Sequence, residues 1–265
     1  MTTNILWVTS FNKEIYEASG GRLLSSFVDK QVEGDIFIGF EGECYLQSYD
    51  RFHVFNLDDS KFLQDWLTVN ADIAPPKPCR CPDPWAGPCR KHVPKCPHTW
   101  FNRNTHRWFR KWATLRHALD MAKNVYNRMI WIDADCRFIS RLSEQAIDKT
   151  VFRADTEKEC DVAYLKHKRR VLEGGFVAYN IGCCHIRGIQ LLEKIFKIYT
   201  SGEFRNYIRW DDCYVLQKAM RGFRCHDLAK VVDQRNHEEV FSGSKIGHYI
   251  RHDKGRHGRV LGIMK

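Results

Sequence analysis

Short apolar runs alternate with amphipathic stretches along most of the chain. Residues 4–9 carry Ile5-Leu6-Trp7-Val8, a continuous apolar run of the kind found in strands buried on both faces. Ser10, Phe11 and Asn12 read as the loop leaving that strand. Residues 14–28 suit a helix, weakened or kinked at Gly20-Gly21. Apolar runs at 35–40 and 52–57 predict two more strands, with loop and a short helix over 41–49. Strand, helix, strand in this order opens an α/β fold with a doubly wound, mostly parallel central sheet. The expectation is a single domain over residues 1–265.

The same rhythm continues further on. Trp108, Trp112, Leu115, Leu119 and Ala122 recur at helical spacing over 107–123, with Arg107, Arg110, Lys111 and Arg116 on the other face. Residues 129–132 form an apolar strand that ends in Asp133-Ala134-Asp135. Strands are expected at 162–165 and 176–180, and helices over 188–200 and 213–220. The last 22 residues, rich in Gly, His and Arg, show no core periodicity.

Residues 74–98 break the pattern and read as a Cys/Pro-rich inserted loop, holding every proline of the chain. Cys79-x-Cys81-x7-Cys89-x2-His92-x3-Cys96-x-His98 offers six metal-ligating side chains. A loop of this composition cannot order itself by burying a core, and a tetrahedral structural Zn²⁺ on Cys79, Cys81, Cys89 and Cys96, or a set with one His, would staple it. Disulfides and free thiols stay open as alternatives, because the spacing matches no common zinc finger.

Composition is that of a globular protein, 43% hydrophobic and 28% charged. No stretch approaches the roughly 18 apolar residues a membrane span needs, so no membrane insertion is expected. The N-terminal apolar run lacks a basic flank, which predicts a cytoplasmic protein, in the host cytoplasm if viral. In that reducing compartment Cys44, Cys136, Cys160, Cys183, Cys184, Cys213 and Cys225, in or beside apolar runs, are expected as buried free thiols. The net charge of +10 is uneven. Residues 1–76 carry 5 basic against 12 acidic side chains, and residues 77–128 carry 12 against 2. That central block favours a polyanionic partner.

The sharpest chemistry lies at Asp133 and Asp135. Ligands bind at the C-terminal edge of an open α/β sheet, and there an apolar strand delivers two carboxylates. Mn²⁺ or Mg²⁺ commonly takes one or two carboxylates and completes its shell with phosphate oxygens and water. A nucleotide diphosphate meets that need.

The run from Trp108 to Leu119, followed by Met129-Ile130-Trp131-Ile132-Asp133-Ala134-Asp135, resembles the centre of the GT-A-fold, Asp-x-Asp nucleotide-sugar glycosyltransferases. Three more segments are similar in order: Thr9-Ser10-Phe11-Asn12, Glu173 to Asn180 with its Gly174-Gly175 pair, and Trp210-Asp211-Asp212. The resemblance implies a metal-dependent glycosyltransferase acting on a nucleotide-sugar donor. It implies donor contacts from Thr9, Ser10, Phe11 and Asp133, with Lys111 and Arg116 near the phosphates. Asp135 would bind the cation directly, with Asp133 beside it. A C-terminal His is the implied third ligand, chosen as His248, with His252 and His257 as rivals. Gly174, Gly175 and Trp210 would line the acceptor. Asp211 and Asp212 are the candidates for the general base of an inverting transfer, with Asp212 chosen as base and Asp211 as the helix cap or an acceptor contact.

Basic residues interleaved with aromatics around 80–108 suit nucleic acid, and some soluble transferases of this fold modify bases in viral DNA. DNA is therefore one candidate acceptor, beside a glycan, lipid or protein. A zinc-stapled nucleic-acid-binding module without catalysis is the reading from another class.

Overall fold

The computed structural model describes residues 4–43, 46, 48–73, 102, 104–153, 159–166, 172–182, 186–229 and 240–253. Its strands are β1 (Ile5–Asn12), β2 (Asp35–Glu41), β3 (Phe52–Asn56), β4 (Arg128–Ile132), β5 (Cys136–Phe138), β6 (Val162–Lys166), β7 (Leu172–Asn180), β8 (Cys225–Asp227) and β9 (Ile250–His252). Seven form one sheet in the order β3-β2-β1-β4-β7-β6-β8, and β5 pairs with β9 in a second. In the large sheet β7 alone runs against its neighbours β4 and β6. The expected doubly wound, mostly parallel sheet is what forms.

Alternation along each strand sends side chains to opposite faces. Leu6, Val8, Met129 and Trp131 enter one core, and Ile5, Trp7, Ile130 and Ile132 the other. Both faces are covered, which is why β1 and β4 are unbroken apolar runs. The helices are α1 (Lys13–Ile15), α2 (Gly21–Asp29), α3 (Lys61–Val69), α4 (Thr105–Ala122), α5 (Glu144–Ile147), α6 (Ile186–Thr200) and α7 (Asp212–Ala219). The first core is closed by α3, α4, α6 and α7, the second by α2 together with β5 and β9.

Several expectations change. Residues 10–12 are strand, not loop, because β2 is long enough to pair with them: Ser10 with Gly39, Phe11 with Phe40 and Asn12 with Glu41. The kink at Gly20-Gly21 is a π-helical turn, Tyr16–Gly20, between α1 and α2. Gly20 sits against Phe11, where a Cβ would lie 3.1 Å from the ring. No helix forms among the described residues of 41–49. Helix α3 was not expected. It is capped by Ser60, whose hydroxyl accepts from the Leu63 N–H, and its Trp66 stacks on Phe109 with ring centroids 4.1 Å apart.

The tail is not featureless either: it adds a 3-10 turn, Lys245–His248, and then β9. Among the expected buried thiols, Cys136 and Cys160 are buried, Cys213 is only partly so, and Cys225 is exposed, because β8 is an edge strand. Cys44, Cys183, Cys184 and the 74–98 segment lie outside the described residues. No described helix is long and apolar enough to cross a membrane.

Candidate active site

The site lies where β4 ends. Because β7 is reversed, it starts beside the end of its neighbour, with Ile132 opposite Phe176. Glu173, Gly174 and Gly175 therefore lie alongside Asp133, whose N–H donates to the Gly175 carbonyl at 3.0 Å. The Asp133 carbonyl then accepts from the Cys136 N–H at 3.0 Å, turning the chain into β5. That turn sets Asp135 in front of β9.

Three acids and one histidine converge there. His252 Nε2 lies 2.9 Å from an Asp135 oxygen. One ligand atom from each of Asp133, Glu173 and His252 lies within 4.8 Å of the others, and the same holds for Asp135, Cys136 and His252. Trp131 Nε1 donates to Asp133 at 2.6 Å. Burial is the main cause that pushes the Asp133 carboxyl up to about 6, with Asp135 and Asp212 adding and Lys111 and His252 opposing. Burial alone would push the His252 imidazole down, but the bond to Asp135 and the charges of Asp133 and Glu173 outweigh it and raise its pKa. A proton held on His252 therefore stands where a cation would relieve the same carboxylates. The donor set of carboxylate oxygens and one imidazole fits a divalent metal.

His248, by contrast, is exposed in its 3-10 turn, and its known bond is through the backbone carbonyl, which accepts from Ser140. The histidine at Asp135 is His252. Sequence spacing could not separate them, since β9 is only three residues long and its pairing, Cys136 with His252, decides which side chain arrives. Glu173 was also missed as a site residue. Its place in a Glu-Gly-Gly strand start was the available clue.

On the other side of β7 lies a buried ion pair. Lys111 Nζ donates to Asp212 at 2.8 Å and to the Gly174 carbonyl at 2.7 Å, and sits 4.7 Å from the Trp131 ring centroid. Burial alone would push the Lys111 ammonium down, but Asp212 and Asp133 hold its pKa above the ordinary lysine value. Gly174 is required by this contact: a Cβ there would lie 2.7 Å from an Asp212 oxygen. Asp211 caps α7 by accepting from the Tyr214 N–H, and is paired with Arg209 at 2.8 Å. Burial pushes its carboxyl up against the opposing pull of Arg209.

The remaining expected residues divide. Thr9 is buried at the heart of β1, and its hydroxyl has no hydrogen-bond partner among the described residues. Ser10 is half-buried. Phe11 is spent in packing against Tyr16 and Phe40. Arg116 lies on the flank of α4, bound to Asp120 and Glu193, away from the acids of the site. Trp210 is a core residue, 3% exposed, with its indole N–H donating to the Tyr207 carbonyl.

No protein-family model and no curated protein matches the sequence. Solved structures do match. The chain is similar to the apo structure of the bifunctional glycosyltransferase WbbM, at 13% identity and a TM-score of 0.50 over 97% of this chain. It spans 46% of the length of that protein. A second similar structure is apo mouse xyloside xylosyltransferase 1, at 10% identity, a TM-score of 0.46, and 95% and 98% coverage of the two chains. The fold is GT-A-like, the α/β architecture of nucleotide-sugar glycosyltransferases.

Proposed function

We propose that this chain is a glycosyltransferase that moves a sugar from a nucleotide-sugar donor to a hydroxyl acceptor with a divalent cation bound at the end of β4. The observation that carries the reading is the docking of His252 on Asp135 beside Asp133 and Glu173. Mn²⁺ or Mg²⁺ held by Asp135 and His252, with Asp133 beside them, would neutralise the departing diphosphate. Asp133, oriented by Trp131, would accept a hydrogen bond from a donor hydroxyl. Ser10 and Asn12, half-buried on the last residues of β1, are the side chains of that strand nearest to hand for the nucleotide.

Asp212 was expected as the proton acceptor. That carboxylate is buried and bonded to the Lys111 ammonium at 2.8 Å, so the oxygen that would take the proton is already engaged. The Lys111–Asp212 pair therefore fits better as a charge-balanced floor under Gly174 on the acceptor side. For the acceptor we propose a sugar-type hydroxyl. The DNA alternative depends on the 77–128 cations. Of these, Arg110, Lys111, Arg116 and Arg128 are each ion-paired within the protein.

The test is thermal shift and slow hydrolysis against a panel of nucleotide sugars with Mn²⁺. One donor should stabilise the protein only with metal present and release its nucleotide diphosphate. In Asp135→Ala that release should fall at least about 100-fold, the scale of losing one electrostatic transition-state contact. Equal behaviour of the two proteins would remove the metal from the reaction.

A further inference from the structure

We propose that Asp135, Cys136 and His252 form a second, thiophilic metal position that takes Zn²⁺ and, when filled, shuts the activating cation out. The inference rests on the metal-site reading above. Cys136 and His252 are directly opposed in the β5–β9 ladder, so their side chains share one face at a Cβ separation of roughly 5 Å. Ligand atoms of all three residues lie within 4.8 Å of one another. Three protein ligands and an open fourth position are enough for Zn²⁺. Cys136 is buried, with its sulfur 3.8 Å from the Gly175 carbonyl, while the Asp135 side chain is 37% exposed and gives an ion a way in.

The two overlapping sets differ in chemistry. Asp133, Glu173 and His252 supply two oxygens and a nitrogen, which suit Mn²⁺. Asp135, Cys136 and His252 supply oxygen, sulfur and nitrogen, and a thiolate selects Zn²⁺ over Mn²⁺ or Mg²⁺. His252 belongs to both, and the reading above gives Asp135 to the activating cation as well. An ion drawn in by the sulfur therefore removes ligands from the other site. Binding forms a sulfur–metal bond and releases the Cys136 thiol proton to solvent, while His252 Nε2 exchanges its bond to Asp135 for the metal, its ring proton passing to Nδ1 or to solvent. No electron is transferred.

The experiment titrates Zn²⁺ into the full chain holding Mn²⁺, following the Mn²⁺-dependent thermal shift, and records Co²⁺ absorption spectra of the same proteins. Wild type should lose its Mn²⁺ shift to Zn²⁺ and show a near-ultraviolet thiolate-to-cobalt band that is weaker in Cys136→Ser. That variant should keep its Mn²⁺ shift and need at least about 10-fold more Zn²⁺, the lower end of what even outer-sphere changes cost a metal site. Cys136→Ala serves if the serine variant does not fold. Identical Zn²⁺ competition and identical cobalt bands in wild type and variant would overturn the inference. If wild type gives no Mn²⁺ shift at all, the metal-site reading itself fails with it.

Discussion

Two acidic pairs flank the start of β7, and their surroundings make them opposites. Asp211 and Asp212 open α7, and each is answered from within the chain: Asp211 by Arg209, Asp212 by Lys111. Asp133 and Asp135 end β4, and Asp135 is met by an imidazole, with His252 Nε2 at 2.9 Å. Lys111 is bonded to Asp212, not to Asp133. The Asp133 carboxyl is pushed up to about 6, first by burial and further by Asp135 and Asp212, against the opposing charges of Lys111 and His252. The two pairs differ in their partners, a guanidinium and an ammonium at one and an imidazole at the other, and this difference supports Asp133 and Asp135 as the pair proposed for the cation.

Breaking the compensated pair should have the largest effect on stability. Lys111→Met leaves Asp212 buried without its ammonium and should cost about 3–5 kcal/mol in chemical denaturation. A cost below about 1 kcal/mol would mean that the pair is solvated in solution. Gly174→Ala tests the same contact from the backbone. Its Cβ would meet an Asp212 oxygen at 2.7 Å and Cys213 sulfur at 3.0 Å, and overpacking of this kind costs about 1–3 kcal/mol. The variant should lose acceptor turnover while keeping the Mn²⁺-dependent shift, and an unchanged variant would show that Asp212 can move aside.

The smallest effect concerns the Asp133–Asp135 pair. The pKa values of Asp133 and His252 are both raised in the folded protein. Such groups stabilise fully below their unfolded values and lose that contribution as pH rises through the folded ones. For Asp133 the window runs from roughly 4 in the unfolded chain to about 6 in the folded protein. Metal-free protein should therefore melt about 2–4 °C lower at pH 7.5 than at pH 5, the shift of roughly 1 kcal/mol in a chain of this size. Added Mn²⁺ should reverse that loss. A metal-free melting temperature that rises over this interval would contradict the charge balance described here.

The sheet was legible in the sequence, because strands buried on both faces must be continuous apolar runs. Helix α4 was legible from its period. Asp133 and Asp135 were legible because an apolar strand has to end somewhere, and here it ends in acid. What was hidden depends on pairing across long separations. Nothing local to Ile250–His252 marks a strand, and only its register against Cys136–Phe138 chooses His252 over His248. Lys111 was visible as one cation among several on a helix. Its burial, and the exposure of Arg116 to other partners, follow from which face of α4 meets β7 and α7.

The most direct test of the central claim is Mn²⁺ binding by isothermal titration at pH 7.5, comparing wild type with Asp135→Asn and Asp212→Asn. The account predicts that Asp135→Asn abolishes binding, while Asp212→Asn leaves the affinity within about 3-fold of wild type, since its charge is already matched. Equal loss in both variants, or loss only in Asp212→Asn, would place the cation at the wrong pair and contradict the account.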